Sequence, residues 1–143
     1  MTGAELEARI ALLRDNLEKL DRIPQGSFQE FEADFRNLDS ALHRLQTSIQ
    51  ALMDIGGYLC AVLGLGAPAT SREILERLEG GNALPAGSAA RFGAIFGFRN
   101  RVVHLYERID PEIVFRILSE ERGELEELAR MLLAALDDDA EKA

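Results

Sequence analysis

Apolar residues recur at alternating steps of three and four along one stretch of this chain: Phe28, Phe31, Phe35, Leu38, Leu42, Leu45, Ile49 and Leu52. That spacing follows one face of an α-helix, and a strand period does not fit it. Gly56 takes the next beat, and Leu59 and Leu63 resume the pattern. The run predicts a single helix of about 36 residues, roughly 54 Å long at 1.5 Å per residue, with a bend at Gly56-Gly57. So sustained a seam asks for near-parallel packing against a neighbouring helix.

The flanking segments also read as helices. Thr2 with Glu5 forms a capping box, and Leu6, Ile10, Leu13, Leu17 and Leu20 follow at helical spacing until Pro24 and Gly26. Ser27 with Glu30 caps the long helix, which Gly64, Gly66 and Pro68 end. Thr70 or Ser71 caps a short helix that stops at Gly80-Gly81. Pro85 precedes a helix over residues 86–108. Asp110-Pro111 then starts the last one, with Asp110 as N-cap, Ile113, Ile117, Leu128, Leu132 and Leu136 facing inward, and Gly123 loosening its middle. With no strand-period segment and no repeat, the expected fold is an all-α, up-down bundle of about five helices with one long central helix. Residues 1–136 form the single domain, and 137–143 an acidic flexible tail.

Composition narrows the function. The 143 residues carry a net charge of −9, against broad electrostatic binding to nucleic acid or anionic membranes. The charge is uneven. Residues 86–110 hold Arg91, Arg99, Arg101 and Arg108 against Glu107 and Asp110, a local +2, which leaves −11 elsewhere. Cys60 is alone, which suits a reducing, cytoplasmic setting, and its neighbours Leu59, Ala61 and Val62 mark it as a small core residue. The N-terminus lacks the order of a signal peptide. The uncharged run 55–71 holds four glycines and a proline and reads as the buried end of a helix, not a membrane span.

The non-acidic segment also holds the candidate chemistry. Phe98-Arg99-Asn100-Arg101-Val102-Val103-His104-Leu105-Tyr106 places Arg99, Asn100, His104 and Tyr106 within about two helical turns. On a helical wheel, Phe92, Ile95, Phe96, Val102, Val103 and Tyr106 all fall within about 60° of Arg99. A charge centred on an apolar stripe is costly unless it is paired or faces a cleft. Arg99 can hold a phosphate and the charge that builds on it, and His104 can take the proton of a ribose 2′-hydroxyl near neutral pH. Asn100 lies about 40° from His104 and Tyr106 about 20° from Arg99, so both can support the site or reach the phosphate, and Arg101 is a further candidate for supporting the site or binding RNA. Arg99 and His104 are about 140° apart, so either the helix is distorted or one site draws on two chains of a homodimer.

Plainer readings stand beside these. Arg99 can be a structural arginine paired with a carboxylate of the long helix, Asp54 being a candidate. His104 can be an ordinary, partly exposed histidine, Tyr106 a core residue, and His43 a surface residue. No metal-ligand cluster, phosphate-cradling glycine loop or Ser/His/Asp set is present, so neither metal nor cofactor is expected.

The string Phe98-Arg99-Asn100-x-x-x-His104-x-Tyr106, followed by Asp110, resembles the Arg-x-x-x-x-His-x-Tyr signature of HepT-like HEPN proteins. Leu65-Gly66-Ala67-Pro68, Ser71-x-Glu73-Ile74 and Leu84-Pro85 resemble that family's connecting region, and the likeness spans roughly residues 5–136. The resemblance implies a HEPN-type bundle and a homodimeric toxin of a toxin–antitoxin pair. It implies a metal-independent ribonuclease acting on mRNA or tRNA through Arg99 and His104. It also implies a minimal nucleotidyltransferase antitoxin that attaches AMP to Tyr106. The alternative is a non-catalytic helical module that binds, and is AMP-modified by, that nucleotidyltransferase.

Overall fold

The computed structural model describes residues 1–104 and 110–142, with backbone alone for 100–104. Seven helical segments occupy the described residues: α1 (Gly3–Arg22), α2 (Phe28–Glu32), α3 (Phe35–Val62), α4 (Ser71–Gly80), α5 (Ser88–His104), α6 (Pro111–Arg116) and α7 (Arg122–Lys142). A π-helical turn, Ile117–Glu121, joins the last two. α3 is the central element, and α1, α2, α4, α5, α6 and α7 all pack on it. No helix among the described residues is long and apolar enough to cross a membrane.

The long heptad does not form one helix. α2 stops after Glu32, and Asp34 caps a new helix by accepting from the Arg36 backbone N–H at 2.9 Å. Asp34 also grips the Arg36 guanidinium, with Nη2 at 2.6 Å, and this pair holds its carboxyl down at about 2. The break changes which heptad members are buried. Phe31 is fully enclosed, whereas Phe35, the first residue of α3, is 76% exposed. From Leu42 the pattern holds, and Leu45, Ile49, Leu52, Ile55 and Leu59 line the core.

Gly56 is a packing glycine. α3 runs through it without interruption, and a Cβ there would meet Ile74 Cγ2 of α4 at 2.6 Å. The uncharged run 55–71 begins in the core with Ile55, Gly56, Leu59 and Cys60, then leaves the helix after Val62. Burial raises the Cys60 thiol pKa.

α1 docks on α3 through Leu13 and Leu20 and through two polar ties. Arg9 Nε donates to Asp54 at 2.9 Å. Buried Asn16 donates to Thr47 Oγ1 at 2.8 Å and accepts from Arg44 at 3.1 Å.

The last helix starts as expected, with Asp110 accepting from the Glu112 N–H and Pro111 in the first turn. Its inward row departs from the expected one at a single position. Ile113 is 45% exposed and Val114 takes the core position, followed by Ile117, Leu118, Leu125, Leu128 and Leu132. The π-turn lies just ahead of Gly123. The acidic residues Asp137, Asp138 and Asp139, expected in a flexible tail, continue α7, which is helical to Lys142.

Candidate functional site

The site is built on α5, and its first turn is anchored from outside. Gly87 takes φ +92°, the left-handed region that suits glycine, and turns the chain into the helix. Ser88 is buried, and its hydroxyl donates to the Pro85 carbonyl at 2.6 Å. The Ala89 N–H, which has no partner within its own helix, donates to Glu79 Oε1 of α4 at 2.8 Å. A carboxylate there satisfies the amide and complements the helix dipole. Nothing in local spacing singles out Glu79, because ten residues and a loop separate it from Ala89.

Beyond that turn, Phe92 and Phe96 are enclosed in the core and Ile95 packs against it. Arg99 is the next residue on the Phe92–Phe96 row, and it is half-buried. Its Nε is inaccessible and has no hydrogen-bond partner among the described residues. Of the apolar stripe around Arg99, the described members Phe92, Ile95 and Phe96 pack in or against the core, while the side chains of Val102 and Val103 and all of Tyr106 lie outside the described residues. A guanidinium N–H removed from water with no acceptor is costly, and an incoming phosphate oxygen would relieve that cost.

Asp54, the carboxylate weighed as a structural partner, is engaged elsewhere. Asp54 accepts from Arg9 and, at 2.9 Å, from Gln50. No carboxylate lies within 4.0 Å of Arg99 among the described residues. Arg91 is bound, by contrast. Glu124 of α7 accepts from its Nε at 2.7 Å and its Nη2 at 2.8 Å, and this raises the Arg91 pKa while lowering that of Glu124. Arg91 also lies 4.7 Å above the Phe92 ring. It thus clamps α5 to α7, and the local positive charge around Arg99 is smaller than residues 86–110 suggest.

The backbone stays helical through His104, which keeps positions 99 and 104 about 140° apart on the helix. The side chains of Asn100, Arg101 and His104 lie outside the described residues, as does Tyr106. His43 is exposed on α3, as expected.

Residues 13–132 match the family model described as "Ribonuclease HepT-like". The chain is 24% identical over 126 residues to the mRNA nuclease HepT of Shewanella oneidensis, covering 88% of this chain and 94% of that one. It is 30% identical over 122 residues to the tRNA nuclease HepT of Aphanizomenon flos-aquae, covering 83% of each. Its fold is similar to the solved structure of a tri-AMPylated HEPN toxin of Shewanella oneidensis in complex with an MNT antitoxin. The TM-score is 0.77 at 23% identity, over 94% of this chain and 99% of that one.

Proposed function

This chain belongs to the ribonuclease HepT-like family, and we propose that it is the toxin of a toxin–antitoxin pair, a metal-independent endoribonuclease that cuts cellular RNA in the cytoplasm. The observation that carries the reading is Arg99. Its guanidinium sits on the inward row of α5 with a desolvated, unpartnered Nε among the described residues, on the helix that also carries His104. In this mechanism His104 takes the proton from a ribose 2′-hydroxyl. The resulting oxygen attacks the adjacent phosphorus, the 5′-oxygen leaves as a hydroxyl by taking a proton from water, and a 2′,3′-cyclic phosphate remains. Arg99 holds the phosphate oxygens as charge builds on them. Asn100 and Arg101 orient the histidine and bind the RNA backbone.

The separation of positions 99 and 104 around a continuous helix supports a homodimer in which apposed α5 helices share their sites. The proposed partner is a minimal nucleotidyltransferase antitoxin. It would join AMP to the Tyr106 hydroxyl through the α-phosphorus of ATP, releasing pyrophosphate. That adds a phosphate beside Arg99 and fills the space the RNA backbone needs.

A second reading, a non-catalytic module whose role is to bind and accept AMP from the nucleotidyltransferase, draws on the AMPylated toxin among the structural neighbours. One experiment separates the two. The chain is expressed without its antitoxin, as wild type and as His104→Ala, and cellular RNA ends are sequenced. New cyclic-phosphate ends that vanish in the variant support the nuclease. Toxicity without new ends, unchanged by the substitution, supports the module.

A further inference from the structure

α2 and α6 meet in a groove of about 240 Å³, lined by Phe28, Glu112, Phe115, Arg116, Ser119 and Glu120. Its floor is aromatic. The half-buried rings of Phe28 and Phe115 pack edge to face 5.6 Å apart, over the enclosed ring of Phe31. Its rim is charged. Among the described residues, Glu112, Arg116 and Glu120 form no ion pair within 4.0 Å. In a regular α-helix Arg116 and Glu120, four residues apart, would be neighbours on one face. The π-turn Ile117–Glu121 takes Glu120 out of that row, and such turns recur at functional sites.

We propose that this groove docks a basic segment of the nucleotidyltransferase partner, seating a lysine or arginine side chain over Phe28 and Phe115 between Glu112 and Glu120. The inference rests on the partner reading given above. Aromatic rings beside two carboxylates form a site for a cation. The three charged side chains on its wall sum to −1, and the whole chain to −9, so the complementary surface is basic. The groove is also well placed for control of the toxin. Glu112 lies only six positions beyond Tyr106, so the chain between them spans at most about 22 Å. A partner held here is held close to the tyrosine it modifies.

The test measures the affinity of the full-length chain for its proposed minimal nucleotidyltransferase partner, at physiological ionic strength. The variant E112K/E120K is expected to bind at least about tenfold more weakly than wild type. Asp39→Lys with Glu141→Lys, the same charge change at exposed positions outside the groove, is expected to bind like wild type. Arg116→Gln removes the one like charge and is expected to bind as well or better. Equal losses in both double variants reduce the effect to net charge and overturn the groove, as does weaker binding by Arg116→Gln. A change of oligomeric state in E112K/E120K alone makes the groove a contact between copies of this chain and overturns it too. Failure of wild type to bind the enzyme sinks the partner reading itself. Tight binding by wild type and E112K/E120K alike removes the groove alone.

Discussion

At the scale of single residues, the proposed role of Arg99 sets stability against function. A desolvated guanidinium N–H without an acceptor is a cost that a folded protein can remove by substitution. Arg99→Met keeps a long apolar stem on the Phe92–Phe96 row and deletes the stranded group. It is expected to raise the unfolding free energy by about 1 kcal/mol in urea titrations while abolishing RNA cleavage. A loss of stability instead would mean that the arginine is satisfied in the resting protein. Arg99→Lys is expected to lose about 100-fold or more in cleavage rate with unchanged helical content, because a point charge replaces the planar fork. The oddity of Arg99 was legible from its apolar neighbours alone. That Asp54 was committed to Arg9 was not, since the two lie 45 residues apart and meet only when α1 docks on α3.

At the scale of elements, two adjacent glycines of α3 make a sharp contrast. Gly56→Ala drives a methyl into Ile74 of α4 and is expected to destabilise by about 1–3 kcal/mol. A Cβ at Gly57 meets nothing within 4 Å, so Gly57→Ala is expected to stabilise by about 0.5–1 kcal/mol through helix propensity. Thermal unfolding of the two variants checks both signs. The break between α2 and α3 carries a pH signature. Arg36 depresses the Asp34 carboxyl to about 2, so the cap's contribution is complete above the ordinary carboxylate range and is lost as pH falls through about 2. Helical content followed on acid titration is expected to lose this component in Asp34→Asn, which cannot titrate. Unbroken three-four spacing hid the break, because apolar periodicity reports a shared face and says little about continuity. The interrupting signal was Asp34 itself, a good N-cap in mid-pattern.

At the scale of the whole molecule, the 140° between positions 99 and 104 bears on assembly. If each site takes Arg99 from one protomer and His104 from its partner, mixing two dead variants restores activity. A heterodimer of Arg99→Ala and His104→Ala retains one intact site. Random pairing is then expected to recover about a quarter of wild-type cleavage after subunit exchange. No recovery from a demonstrated heterodimer would place both residues of a site in one chain.

Helix type, the cap at Asp110, the helix stops at Pro24 and Gly80-Gly81, and the basic segment around Arg99 all followed from the amino-acid order. These features rest on interactions within a few residues of chain, so local spacing encodes them. The exposure of Phe35, the exchange of Ile113 for Val114 in the core, the close approach at Gly56 and the capping of α5 by Glu79 were decided only in the tertiary structure. Each depends on how two elements distant in sequence fit together. One side chain's fit against another helix is a property of packing, and periodicity along a single helix does not contain it.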